Sequence, residues 1–132
     1  MHTTNYFDTF ISIAEDCLVT AGEVPPVKAP KSAAQIQYEM LAAHPYEYTS
    51  DDVLYVSNGQ RRDQSRAAFF SKGQPCFRSS PLTKRYGWGV HSNAEGKVAL
   101  YPVGSDEYKR LATDPSLTQL QGMRSTRRVP TK

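Results

Sequence analysis

The sequence predicts an α+β fold: a single domain with a mostly antiparallel sheet and helices packed on one face. Three observations predict it. A period-2 strand opens the chain, two alternating segments flank a glycine turn late in it, and the helical segments do not follow the strands in regular succession. A doubly wound fold would show β-α alternation and a glycine-rich first turn, and neither is present. With 132 residues, 39% hydrophobic and 22% charged, the chain has the size and balance of one domain.

The first strand is read at Tyr6 to Ala14, with Phe7, Thr9, Ile11 and Ile13 on the side expected to face the core. From Thr20 to Pro30 three prolines fix φ and remove donors, so this stretch is an extended surface connection within the domain. Ser32 followed by Gln35 has capping-box spacing, and Ile36 and Met40 lie one turn apart with Ala33 and Ala43 extending the stripe, which predicts a helix stopped by His44-Pro45. Asp52 to Ser57 carries Val53, Leu54, Tyr55 and Val56 in a row and reads as a strand buried on both faces, turned by Asn58-Gly59. Arg61 to Lys72 reads as a second helix closed by Gly73.

Pro75 to Ser79 is expected to be extended. Tyr86, Trp88 and Val90 then alternate with Arg85, Gly87, Gly89 and His91, and Val98 and Leu100 alternate with Ala99 and Tyr101. Ser92 to Gly96 supplies the turn between them, so a hairpin is predicted, with Trp88 on its buried side. Ser105 caps a short helix with Asp106 and Glu107 first and Lys109 and Arg110 last, as the macrodipole favours. Asp114-Pro115 is expected to start one more helix. The domain is read as residues 1–123, and residues 124–132, RSTRRVPTK, as a basic flexible tail with no apolar period.

Charge divides unevenly. Residues 1–58 carry Lys28 and Lys31 against eight acids, a balance of −6, while residues 59–132 carry fourteen Lys and Arg against five acids, a balance of +9. That polarity points to an anionic small molecule or protein as partner of the second half, with nucleic acid as another anionic class. No run reaches the roughly 18 apolar residues of a membrane span, so no membrane partner is expected. Cys17 and Cys76 form no paired motif, which points to reduced thiols and a cytoplasmic location. His2, His44 and His91 lack the spacing that places two ligands on one element, so neither a metal site nor another cofactor is expected.

The stretches SKGQPC (residues 71–76) and SPLTKRYGWG (residues 80–89), with the segments QIQYEML and YTSDDVL upstream, resemble an uncharacterised family of small bacterial and fungal proteins, a domain of unknown function. The resemblance runs from Phe7 to Met123. It implies no activity, cofactor or catalytic residue.

The residues themselves suggest where chemistry could lie. Gly87 and Gly89 share a strand face with Arg85 and His91, leaving a bare strip over which a ligand could approach, unless a core ring or helix fills it. Lys84, Arg85 and His91, with Arg78 and Ser80, then form a candidate anion site, because guanidinium forks and hydroxyls suit phosphate and carboxylate. A binding or interaction domain with this basic patch is the leading expectation. An enzyme with Cys76 as nucleophile, His91 as base and Arg78 as thiolate partner is the first alternative. The second is nucleic-acid binding through Arg61, Arg62, Arg66, Arg124, Arg127 and Arg128.

Overall fold

Phe10 and Ile11 are neighbours on β1 (Thr9–Ser12) and therefore point to opposite faces of a sheet, yet both are fully buried. That one fact sets the layer order in the computed structural model, which describes residues 2–126. β1 lies inside a four-stranded sheet of order β3-β2-β1-β4, formed with β2 (Trp88–Ser92), β3 (Val98–Pro102) and β4 (Thr118–Gln121). It pairs antiparallel with β2 (Ile11 opposite Val90) and parallel with β4 (Ile11 opposite Leu120), while β2 and β3 form the expected antiparallel hairpin.

On the face holding Ile11, Val90 and Val98, cover comes from Leu41 of α1 (Ala33–Ala43), Val53 and Leu54 of α2 (Ser50–Leu54), and Phe77. On the other face Phe10 packs edge-on against Tyr108 of α5 (Asp106–Ala112), ring centroids 5.1 Å apart, with Leu111 beside it. The α+β class stands, and the placement of helices on one face is corrected: α5 covers the second. A strand with large apolar groups at both parities needs cover on both sides.

Local signals decide the rest. Ser32 caps α1 as expected, accepting from the Gln35 N–H at 3.2 Å, but the buried stripe is Ala34, Gln37 and Leu41 rather than Ile36 and Met40. The strand read at Asp52 to Ser57 is instead α2 followed by a π-helical turn, Tyr55–Gly59, and a 3-10 turn, Gln60–Arg62. Thr49 and Asp52 form a reciprocal capping box there, and this start signal outranks the apolar run that suggested a strand. Gly59 lies within the π turn rather than in a bend after a strand, and a Cβ there would sit 2.7 Å from Tyr55 and 2.8 Å from Phe69.

The helix read over Arg61 to Lys72 is confined to α3 (Arg66–Phe69), capped by Ser65. Pro75 to Ser79 is not a continuous extended run: a 3-10 turn occupies Phe77–Ser79, and α4 (Pro81–Lys84) follows with Ser80 as cap and proline in its first turn. The helix expected at Asp114-Pro115 is replaced by an approach to β4. The Asp114 carboxylate accepts from the Ser116 N–H at 2.8 Å and hydroxyl at 2.7 Å, turning the chain back toward the open edge of β1. Trp88 is partly buried on the side expected of it, its indole N–H donating to the Glu23 carbonyl at 2.8 Å and its ring 5.5 Å from that of Tyr38.

At the C-terminal end Arg124 pairs with Glu15 at 3.2 Å, and Asp16 accepts from the N–H groups of Ser125 and Thr126. Arg127 and Arg128, named above for nucleic-acid binding, lie outside the described residues, as does the rest of the tail to Lys132. No helix among the described residues is long and apolar enough to cross a membrane.

Candidate functional site

The glycine strip is filled. A Cβ on Gly89 would lie 2.5 Å from the Phe10 ring and 2.7 Å from Tyr108, and one on Gly87, at φ +82°, would meet Val19 and the Ala21 carbonyl. The glycines thus admit an aromatic pair and a loop. His91 shares the face of Gly89, while Gly87 lies outside the strand, and His91 is engaged in a hydrogen-bond chain: its Nδ1 is 2.7 Å from the Tyr46 hydroxyl, which is 2.6 Å from that of Tyr101. Burial lowers the His91 pKa, and the charges of Asp8 and Asp114 oppose that shift.

The other residues of the expected anion site are dispersed in role. Ser80 is buried, donating to the Gln37 side-chain carbonyl at 2.6 Å and accepting from the Leu82 N–H. Arg78 donates through Nε to the Gln121 carbonyl at 2.7 Å and lines a separate open cleft with Arg124. Lys84 ends α4 and Arg85 follows it; neither side chain has an ion pair or hydrogen bond among the described residues.

Cys76 and His91 are not brought together. His91 pairs in register with Phe10 and so lies on the α5 face, whereas Cys76 adjoins Phe77 and Tyr6, which pack on the α1 face. The thiol's hydrogen-bond partner is the Tyr6 hydroxyl at 3.3 Å. Burial, followed by that bond, pushes the Tyr6 phenol up to about 12, so it stays protonated at neutral pH and is no general base there. Of the arginines considered for nucleic acid, Arg61 is bonded to the Ser57 carbonyl, and Arg66 is paired with Asp52 at 2.9 Å and set against the Tyr55 and Phe70 rings.

Arg62 differs. It projects from the 3-10 turn after the π-helical turn, is exposed, and meets no carboxylate among the described residues. It stands on the wall of a cleft of about 450 Å³ together with Asn58, Gln64, Gln74 and Cys76, while Leu54 and Phe69 supply apolar wall. The π turn widens the helix at this point, a local device that re-aims side chains and recurs at functional sites.

The floor of the cleft is a buried polar junction. Gln37, 2% exposed, donates to the Ser57 hydroxyl at 3.1 Å and accepts from Ser80; Asn58 donates to the same Ser57 oxygen at 3.1 Å. Three elements, α1, the π turn and the cap of α4, are thereby locked to one another, and such a satisfied network fixes the positions of the groups around it. Gln74 donates to the Phe69 carbonyl at 2.7 Å, which holds its carboxamide in place on the wall. The arrangement offers a guanidinium and amide groups to an anionic, hydrogen-bonding ligand, with apolar surface for the remainder.

In the sequence Arg62 stands out only as one of several arginines suited to nucleic acid, and Asn58, Gln64 and Gln74 do not stand out at all. One signal was available: Gln37 sits between Ala34 and Leu41 on a helical stripe, where a carboxamide is costly unless it is bonded. The π turn has no sequence signature of that kind.

No curated protein and no solved structure matches the chain. The model of a family described as a family of unknown function, DUF6157, matches residues 1–128, and the chain belongs to that family.

Proposed function

We propose that the chain is a small-molecule binding domain whose ligand carries an anionic group held by Arg62 and a hydrogen-bonding part held by Asn58, Gln64 and Gln74. The observation that carries this reading is a guanidinium with no counter-ion among the described residues, on the wall of a cleft of about 450 Å³ whose floor is a fully bonded polar junction. A cleft of that size falls in the range of small-molecule sites. The anion contact expected of the basic second half is kept, and its anchor moves from Lys84, Arg85 and His91 to Arg62. The free thiols of Cys17 and Cys76 support a reducing, cytoplasmic setting.

The test is a thermal-shift and amide-shift titration with small mono- and dicarboxylates and phosphorylated metabolites, on the wild-type chain and on Arg62→Ala and Arg85→Ala. Saturable shifts at residues 58–64 and 74–79 that vanish in Arg62→Ala and persist in Arg85→Ala establish the cleft. Shifts confined to residues 84–91 and lost in Arg85→Ala return the site to the Lys84-Arg85 pair, whose side chains also lack a partner among the described residues. No saturable shift with any of these anions ends the proposal.

A further inference from the structure

The polar junction beneath the cleft decides which way its amides face. The Ser80 hydroxyl is buried and accepts from the Leu82 N–H at 3.1 Å, and its own proton has one acceptor among the described residues, Gln37 Oε1 at 2.6 Å. The nitrogen of Gln37 is therefore the arm turned to Ser57 Oγ at 3.1 Å. Ser57 is fully buried and sends its proton to the Leu54 carbonyl at 3.4 Å, so its oxygen accepts from Asn58 as well, and Asn58 must present Nδ2 to it. Gln74 is oriented just as firmly, because the Phe69 carbonyl can only accept and so takes Nε2.

In both amides the nitrogen arm is pinned to the protein and the oxygen arm is left over. Asn58 Oδ1 and Gln74 Oε1 have no hydrogen-bond partner among the described residues, and both residues line the cleft. No buried side-chain oxygen among the described residues is unbonded, so these two are open to solvent. Among the described residues that line the cleft, Arg62 alone is charged, and a guanidinium has donors only. Asn58 and Arg62 lie four residues apart on continuous right-handed backbone, so they rise from the same side of it.

This pairing of a cation with bare acceptors is selective. A simple carboxylate or phosphate satisfies Arg62 but strands the two carbonyl oxygens beside its own negative charge. A simple cation satisfies the oxygens and is repelled by Arg62. A molecule that carries an anion and N–H donors on neighbouring atoms satisfies both.

We infer that the ligand of the cleft is a free α-amino acid with an apolar side chain. Its carboxylate meets Arg62, its ammonium donates to Asn58 Oδ1 and Gln74 Oε1, and its side chain lies against the apolar wall of Leu54, Phe69 and Pro75. This inference rests on the reading of the cleft as an anion site and names the class of its ligand. A site built to receive N–H donors discriminates strongly against the analogue that lacks them.

The experiment is calorimetric titration of the full chain with leucine and phenylalanine, each beside its deaminated acid, 4-methylpentanoate or 3-phenylpropanoate, and its 2-hydroxy analogue. At least one amino acid is expected to bind about tenfold or more tightly than its deaminated acid, with the hydroxy acid between them, and to lose binding in Arg62→Ala. Gln74→Met removes the carbonyl oxygen at nearly constant length and should bring that preference close to unity while the deaminated acid still binds. Asn58→Leu is the second variant for the same comparison, and the ratio of two affinities on one protein is insensitive to the fraction folded. The inference is overturned if amino acid and deaminated acid bind alike, if neither binds, if the hydroxy acid matches the amino acid, or if the preference survives in both variants. Arg62-dependent binding of deaminated acids or phosphorylated metabolites without that preference leaves the cleft standing and removes the amino acid; absence of all Arg62-dependent binding removes both.

Discussion

The two faces of the sheet solve different problems. On the α5 face, Phe10, Gly89 and Tyr108 interlock so closely that a single added methyl would meet a ring at 2.5 Å, and the polar groups of His91, Tyr46 and Tyr101 bond to one another. On the α1 face the apolar core of Ile11, Val90 and Leu41 is equally buried, but beyond it lie α2, the π turn and two 3-10 turns, and their outer side chains include an arginine with no partner among the described residues. One face is closed by packing; the other supports a cleft. The contrast teaches that side-chain volume alone can complete a face, whereas an open site needs a rigid polar junction beneath it.

Breaking the closed face should give the largest effect. Phe10→Ala empties the site between Gly89 and Tyr108 and should cost about 3–5 kcal/mol in urea denaturation. A loss under about 1 kcal/mol would mean that the face is not the packed unit described. Next comes the junction under the cleft: Gln37→Leu leaves the Ser80 hydroxyl without its acceptor and should cost about 1–3 kcal/mol while weakening ligand binding. If stability falls and affinity does not, the junction supports the fold but not the site.

The closed face also has a pH signature. Burial lowers the folded His91 pKa below 6.5, so the unfolded chain binds the proton more readily. Stability from this group is fully present above about 6.5 and is lost as pH falls through the lower folded value. Melts of wild type and His91→Gln across pH 5 to 7.5 should therefore differ in slope, with the variant flatter; parallel curves would remove His91 as the cause. The smallest stability effect should come from the open side: Arg62→Ala is expected within about 0.5 kcal/mol of wild type, because its side chain is exposed and has no ion pair among the described residues. A larger loss would show that Arg62 is structural.

Where a local signal acted alone, the sequence was sufficient. Ser32, Ser105 and the Ser92–Gly96 turn each satisfy or bend the backbone within a few residues, and the helices and hairpin they mark are present. Where two local signals competed, at Thr49 to Val56, the apolar run suggested a strand and the capping box made a helix. Short apolar runs cannot separate the two by period. The strand Thr118–Gln121 was hidden for another reason: as an edge strand with three exposed residues, TQLQ shows no apolar alternation, and only pairing with β1 makes it a strand.

The sequence by itself determined the α+β class, the family, the capped helices and the hairpin, because caps, turns and periodicity act over one or two turns of chain. Only the tertiary structure decided that Phe10 fills the space above Gly89, that Cys76 and His91 lie on opposite faces of the sheet, and that Arg62 joins Asn58 and Gln74 around one cleft. Those outcomes depend on which elements meet across the core. Meeting is set by packing volume and hydrogen-bond satisfaction between residues far apart in the chain, and no short window of sequence contains both partners.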